Sequence, residues 1–381
     1  MQRKNRRILL CDTTLRDGAQ APDIHFSFDE RFSIASRLFD SGIDEIEAGI
    51  PAMGAETVAF IRELAEEYPG RSISAWCRAN IQDIEAAGLT KTDIVHISVP
   101  SSPILLQSMD KNWNDIFESL PNLISRASDL FPRVSLGIPD VFRTPIDRIE
   151  RLMLMADRNK LYRVRVADTV GTAMPGTVET LVRQLAGKYS TPLVFHGHND
   201  LGLATANSLT AAMSGASWID VTIGGIGERA GNTRLEEIAA AIKLSPSLET
   251  GFDLTTIQGL SALLSSITNR PIPANQPLTG RNILTHASGI HCRSVLRNEL
   301  SFQPFTPSFI GMDSNAMVAG SHSGRGGIKG MLEAEGISVN ADTLDCFAEH
   351  IRHESIRLKK SYSSDELVEE YIDFHRTASC S

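Results

Sequence analysis

Along the chain a short run of β-branched and apolar residues alternates with a longer amphipathic stretch, and the beat repeats eight times. The runs are RILLCDTT (7–14), IDEIEAGI (43–50), SISAWC (72–77), DIVHISV (93–99), RVSLGI (133–138), RVRVAD (163–168), PLVFHGH (192–198) and WIDVTIGG (218–225). Runs this short and this apolar read as strands buried on both faces. Stretches of helical period lie between them, near 28–41, 54–68, 80–88, 113–131, 145–160, 175–187, 201–214 and 232–243, with Pro145 and Pro175 suited to first helical turns. The pattern predicts an α/β fold, a (β/α)8 TIM barrel, in both length and count. A doubly wound sheet is the alternative, but it needs a crossover break that the pattern does not show.

After about residue 250 the rhythm changes. NRPIPANQPLTGRN (269–282) is linker-like, GSHSGRGG (320–327) reads as a mobile Gly-rich loop, and 340–376 is charged and helical. The expected division is a catalytic barrel over 1–270 and a linker with C-terminal helical subdomains over 271–381.

Composition narrows the function. Of 381 residues 42% are hydrophobic and 22% charged, and the formal net charge is −9. With a pI near 5.6, nucleic acid and anionic membrane surfaces are not expected partners. No window holds the eighteen apolar residues of a membrane span, and MQRKNRRILLCDTT lacks the apolar core of a signal peptide. The expected location is cytoplasmic. Cys11, Cys77, Cys292, Cys346 and Cys380 are odd in number, scattered and without a CxxC, so reduced and mostly buried thiols are expected.

In a TIM barrel the active site gathers at the carboxyl ends of the strands. Those ends carry a polar ring: Arg16 and Asp17, Glu47, Arg78, Ser98, Asp140, Asp168 and Thr169, His196 and His198, then Glu228, Arg229 and Asn232. Taken singly, each is an ordinary solvent-facing rim residue. HGH at 196–198 is equally open: on a strand i and i+2 share a face, so the pair suits either one metal ion or two solvated imidazoles. Together, a carboxylate, two imidazoles and an amide oxygen from opposite sides of the barrel would form a mixed N/O site for Mg²⁺, Mn²⁺ or Zn²⁺. Open positions would let a 2-oxo acid chelate through its ketone and carboxylate.

Seven ordered motifs then carry a resemblance: DTTLRDGAQAP (12–22), IEAGIP (46–51), AWCRA (75–79), RVADTVG (165–171), FHGHNDLGLATAN (195–207), GGIGERAGNTRLEE (224–237) and SGIH (288–291). Over roughly residues 8 to 330 the chain resembles the acyl-CoA condensing enzymes that include homocitrate, 2-isopropylmalate and citramalate synthases. The resemblance implies an acyltransferase that joins the methyl carbon of acetyl-CoA to the ketone of a 2-oxo acid and hydrolyses the thioester. It implies metal ligation by Asp17, His196 and His198, with Asn232 as fourth ligand or as partner of a ligand. Arg16 would stabilise the alkoxide, Glu47 would hold Arg16 or a metal-bound water, and Gln20 and Thr169 would bind the substrate carboxylate. His291 would serve as the acid/base group, reaching in from the tail of a partner subunit, so a homodimer is expected.

Departures from that pattern bear on the acceptor. Ala19 stands where the family has glutamate in RDGEQ, Pro139 precedes Asp140 where a Glu-Asp pair is common, and Ala287 takes an acidic position before SGIH. Fewer carboxylates favour a more anionic acceptor than 2-oxoglutarate, such as phosphonopyruvate, giving 2-phosphonomethylmalate; Arg78, Arg143 or His25 would supply extra contacts. Two other readings compete. A carbon-carbon lyase like 3-hydroxy-3-methylglutaryl-CoA lyase would carry a cysteine in the loop after the last strand, and GGIGERAGN has none. Residue by residue, Asp17 also reads as a plain loop acid, Glu47 as a strand-end charge and Asn232 as the N-cap of a helix at Thr233. In a non-catalytic binder the lost acids would mark a decayed enzyme that only holds a metal or ligand; retention of Arg16, Asp17, Glu47 and both histidines opposes that.

Overall fold

The computed structural model describes residues 5–378. Eight parallel strands close into a barrel: β1 Leu9–Asp12, β2 Glu45–Gly49, β3 Ser72–Arg78, β4 Ile94–Ser98, β5 Arg133–Ile138, β6 Arg163–Asp168, β7 Leu193–Gly197 and β8 Trp218–Val221. β8 pairs with β1 from Leu9↔Trp218 to Asp12↔Val221, which closes the ring and rules out the open doubly wound sheet. The helices between them are α1 Phe28–Asp40, α2 Ala55–Glu67, α3 Ile81–Gly88, α4 Trp113–Leu130, α5 Ile146–Arg158, α6 Pro175–Lys188, α7 Ala204–Ser214 and α8 Leu235–Leu244. Their starts follow local chemistry. Ser27 and Glu30 form a reciprocal capping box on α1, Asn80 accepts from the Asp83 amide at α3, and Pro175 fills the first turn of α6.

Two helices begin later than their apolar period predicts. Asn199 accepts from the Ala204 amide, so 201–203 stay in a turn. Before α8, His198 pairs with Asn232 and Thr222 with Arg234 in isolated bridges, which holds 232–234 extended. Asn232 is therefore not a helix cap. A short helix at Pro103–Ser108 and a two-residue strand pair, Arg6–Arg7 with Leu248–Glu249, add to the predicted elements.

The barrel interior is unusually charged. Residues i and i+2 of a strand share a face, so EIE on β2 and RVR on β6 each present two charges to the barrel axis. In the lower layer Arg163 Nη1 and Nη2 meet Glu45 Oε2 and Oε1 at 2.8 and 2.5 Å, both side chains fully buried, and the guanidinium lies 4.5 Å from the Trp218 ring centroid. A buried pair of this kind depends on matched lone pairs and hydrogens; both carboxylate oxygens are matched here, while Arg163 Nε is left without a hydrogen-bond partner.

Two compact units divide the chain. The barrel unit runs through Leu254 and includes Gly259–Pro271; the second holds Thr255–Gln258 and continues from Ile272. The second unit contains helices α10 Gly289–Arg297, α11 Arg325–Ala334, α12 Ala341–Leu358 and α13 Ser364–Ala378, while α9 Ile257–Thr268 spans the division. Its core gathers Phe347, Ile351, Leu332, Leu367 and Tyr362. The Gly-rich 320–327 stretch is an ordered turn whose last residues open α11. Among the described residues no helix is long and apolar enough to cross a membrane. Cys11, Cys77 and Cys292 are buried and unpaired and Cys346 is exposed; Cys380 lies outside the described residues.

Candidate active site and metal centre

The loop after β1 turns tightly because the amides of Arg16, Asp17 and Gly18 all donate to the Thr13 carbonyl. Asp12 anchors it from below, accepting from the Thr14 amide (2.8 Å) and hydroxyl (3.1 Å), and the Thr14 hydroxyl in turn accepts from the Ile223 amide after β8. That turn sets Asp17 over the barrel mouth, opposite the end of β7. There the two-residue period puts His196 and His198 on one face.

The donor atoms of the three residues converge. His196 Nε2 is 3.2 Å from His198 Nε2, and Asp17 Oδ2 is 3.4 and 3.8 Å from those nitrogens. All are buried, and the three ligand atoms lie within 4.8 Å of one another. His196 Nδ1 faces Asp220 Oδ2 at 3.1 Å, so Nδ1–H donates to that carboxylate and Nε2 keeps a bare lone pair facing His198. Burial, with the neighbouring His196, lowers the His198 pKa to about 4, which keeps it neutral as a ligand must be. Burial opposes ionisation of Asp17, but Arg16 and the two imidazoles outweigh it and hold the carboxyl below its usual range. Two nitrogen lone pairs and a carboxylate facing one point fit a divalent cation.

Asn232 braces Asp17 through its amide nitrogen, while its Oδ1 is buried with no hydrogen-bond partner. Its Nδ2 donates to Asp17 Oδ1 and to the Ile226 carbonyl, both at 3.0 Å. A Cβ on Gly227 would stand 2.0 Å from that nitrogen, so only glycine leaves the amide this position.

Behind the triad lies a chain of buried charge. Arg16 Nη1 donates to Asp17 Oδ2 at 2.6 Å and Nε to Glu47 Oε1 at 2.5 Å. Arg165 then bridges Glu47 Oε2 (2.8 Å) and Asp220 Oδ2 (2.6 Å), linking the Arg16 side to the His196 side. Burial opposes ionisation of Glu47, yet Arg16 and Arg165 hold it well below the usual carboxylate range. A cavity of about 250 Å³ opens onto this network, lined by Arg16, Asp17, Gln20, Trp76, His96, Pro139, Arg165, Thr169 and both histidines among others.

Several expected contacts lie elsewhere. Arg78 is 65% exposed and grips Asp83 with Nε and Nη2 at 2.9 and 2.8 Å, because that buried carboxylate at the start of α3 is its nearest partner. Arg143 is likewise drawn onto Asp140, at 2.7 Å, and neither arginine lines the cavity. His25 and Ala19 line a neighbouring cavity of about 280 Å³ that shares Arg16 and Gln20 with the first. Thr169 accepts from the Asp140 amide through its hydroxyl. His291 belongs to the second unit, exposed on α10 with its ring stacked 4.2 Å from Phe302, and Ala287 is in the same unit. Arg165, His96 and Asp220 give no signal in the apolar pattern because each sits inside a strand between apolar neighbours. The matched EIE and RVR triplets were the signal for Arg165.

A closed parallel barrel whose carboxyl-end loops bring a buried carboxylate and two imidazoles to one point is a TIM-barrel enzyme framework with a site suited to a divalent metal. Residues 7–264 match the HMGL-like family and residues 278–357 the homocitrate synthase post-HMGL domain-like family. The chain belongs to the HMGL-like family and is an enzyme of its acyl-condensing branch. It is 35% identical to homocitrate synthase 1 of Nostoc sp. over 95% of its own length and 96% of that protein's. It is 33% identical to 2-phosphonomethylmalate synthase of Streptomyces rubellomurinus, covering 96% of this chain and 98% of that protein. Among solved structures, the hydroxymethylglutaryl-CoA lyase of Pseudomonas aeruginosa superposes with a TM-score of 0.60 at 19% identity, covering 71% of this chain and 95% of that one, which supports the barrel fold. The loop at 222–234 contains no cysteine.

Proposed function

We propose that the enzyme condenses acetyl-CoA with a 2-oxo acid that carries a second anionic group, 2-oxoglutarate or phosphonopyruvate, and then hydrolyses the thioester. The observation that carries this reading is Arg16. Its guanidinium is fixed between Asp17, a member of the donor triad, and Glu47, and it lines the cavity beside the two histidines. A 2-oxo acid placed there presents its ketone oxygen to that fork. As the acetyl methyl carbon, stripped of a proton, attacks the ketone carbon, the carbonyl electron pair moves onto oxygen. Arg16 meets that developing negative charge with donors already in place, so little reorganisation is needed. Glu47 holds Arg16 in register and, kept ionised by two guanidiniums, acts as an anchor. Gln20 and Thr169 line the cavity where the acid's own carboxylate would seat. A divalent cation held by Asp17, His196 and His198 supplies Lewis-acid polarisation of the ketone when bound.

His291 is the proposed proton acceptor for the acetyl methyl group, contributed from the second unit of a partner copy in a homodimer. The phosphonate alternative draws support from the 2-phosphonomethylmalate synthase relative and from Ala19 and Pro139, which remove carboxylates from the two cavities. The test is thiol release from acetyl-CoA with purified, metal-loaded protein against 2-oxoglutarate, phosphonopyruvate, oxaloacetate, pyruvate and 2-oxoisovalerate. Release with an oxyanion-bearing acid supports the reading. No release with any acid ends it.

A further inference from the structure

The strand register sets three residues side by side at one level of the barrel wall. Ser98 on β4 pairs with Gly137 on β5, and Gly137 pairs with Arg165 on β6. Gly137 leaves a gap in that wall, which His96 fills: an added Cβ would stand 2.4 Å from His96 Nε2 and 2.8 Å from Cε1. The imidazole is pinned from behind by Ser135, whose hydroxyl lies 2.9 Å from Nδ1. With Nδ1 engaged by that hydroxyl, Nε2 is the ring nitrogen turned towards Gly137. Burial and the adjacent Arg165 charge hold His96 neutral.

Arg165 is only 3% exposed. Its Nη2 and Nε are ion-paired with Glu47 (2.8 Å) and Asp220 (2.6 Å), yet Nε and Nη1 are both buried without a hydrogen-bond partner, and Nη1 lacks an ion-pair partner as well. A guanidinium has five N–H donors in a rigid fork and no acceptor, so its free corner can be matched only by oxygens brought from outside. Arg165, His96, Ser98 and Gly137 all line the cavity that holds Arg16 and the donor triad. The recess therefore offers a charged fork, an imidazole nitrogen and a hydroxyl to whatever hangs from the far end of the acceptor.

We propose that Arg165, facing His96 across Gly137, binds the distal oxyanion of the acceptor and selects against 2-oxo acids with alkyl ends, an assignment that rests on the condensing activity above. An alkyl end buried there leaves the Nη1 hydrogens unmatched. Sites built around such donors discriminate far more strongly than sites that only measure size. Carboxylate and phosphonate share the required chemistry, and the arms of the experiment separate them.

The experiment reads binding first, without turnover. Metal-loaded protein is titrated calorimetrically with 2-oxoglutarate, phosphonopyruvate and 2-oxoisovalerate, and the wild type is expected to bind one of the oxyanion acids about 100-fold more tightly than 2-oxoisovalerate. Arg165→Lys keeps a cation for Glu47 or Asp220 but removes the fork; it should weaken the preferred oxyanion acid at least about 10-fold and 2-oxoisovalerate by less than about threefold. Gly137→Ala tests the recess without touching the ion pairs, since its Cβ must displace His96, and it should reproduce the selective loss even where Arg165→Lys fails to fold. Steady-state thiol release should show the same change in KM, with a smaller change in kcat. Equal losses for all three acids in both variants, or a wild type that prefers 2-oxoisovalerate, would overturn the assignment. Selective binding without thiol release would sink the condensing reaction and leave the pocket assignment standing.

Discussion

Asp220→Asn is the most informative single change around the metal centre. Asp220 lies one layer out from the donor triad, 1% exposed, with Oδ2 accepting from His196 Nδ1 at 3.1 Å and ion-paired with Arg165 Nε at 2.6 Å. Asparagine has nearly the same shape and can still accept one hydrogen, but the charge is gone. Two effects follow. The His196 imidazole loses the anion that fixes its tautomer and raises its basicity, which at comparable sites costs about 10–100-fold in metal affinity, or ~1.4–2.7 kcal/mol. Arg165 keeps Glu47 but loses its second counter-charge in a region that water does not screen, so the fold weakens as well, by a share of the ~3–5 kcal/mol typical of a broken buried pair. The assay is calorimetric titration of chelator-stripped protein with Zn²⁺ and Mn²⁺, alongside thermal unfolding in the absence of metal. Glu85→Gln is the control: its pair with Arg126 is solvent-screened at the surface, and its loss should barely shift stability and leave metal affinity alone. A folded Asp220→Asn protein whose metal Kd stays within twofold of the wild type would refute the carboxylate–imidazole–metal reasoning.

Other consequences are open to measurement. Arg16→Lys removes the fork beside the ketone and should lower kcat about 10²–10³-fold in thiol-release assays, with metal affinity changed far less. Asp12 is fully buried, and burial pushes its pKa from 3.8 up to about 7. A carboxyl with a raised folded-state pKa costs nothing well below pH 4, where both states are protonated; the cost grows as pH rises from about 4 to about 7 and levels off above that. Asp12→Asn should therefore gain stability relative to the wild type across that window, by up to ~4 kcal/mol, as read from chemical unfolding at pH 4.5 and 8; a difference independent of pH would contradict it. Phe347→Ala removes a fully buried ring that packs against Tyr371 and Phe374 in the second unit, and should cost ~3–5 kcal/mol in the calorimetric transition of that unit.

The barrel was readable because its strands are buried on both faces, which produces short apolar runs at nearly even spacing. The donor triad was readable for a different reason: HGH, RDG and the loop after the last strand each sit at a strand end, where barrel geometry forces them together. Helix starts at α7 and α8 were misplaced because hydrophobic period does not register a bridge such as His198↔Asn232, which overrides it. Arg78 and Arg143 look like substrate ligands by charge and position, yet each has a buried acid a few residues away, and a local pair forms before a distant ligand is met. Arg165 escaped notice for the opposite reason. Its partners, Glu47 and Asp220, come from strands far away in sequence, so only the match between EIE and RVR hinted at a charged interior.

The donor triad draws Asp17 from the loop after the first strand and His196 and His198 from the end of the seventh, with Asn232 steadying Asp17 from beyond the eighth. No shorter stretch of the chain contains the site. During synthesis the three donors meet only once folding brings the loop after the first strand against the end of the seventh, although the two histidines are near neighbours in the chain. Metal uptake is therefore a report that this meeting has taken place, and a protein trimmed or nicked anywhere in the ring should lose the ion before it loses its helices.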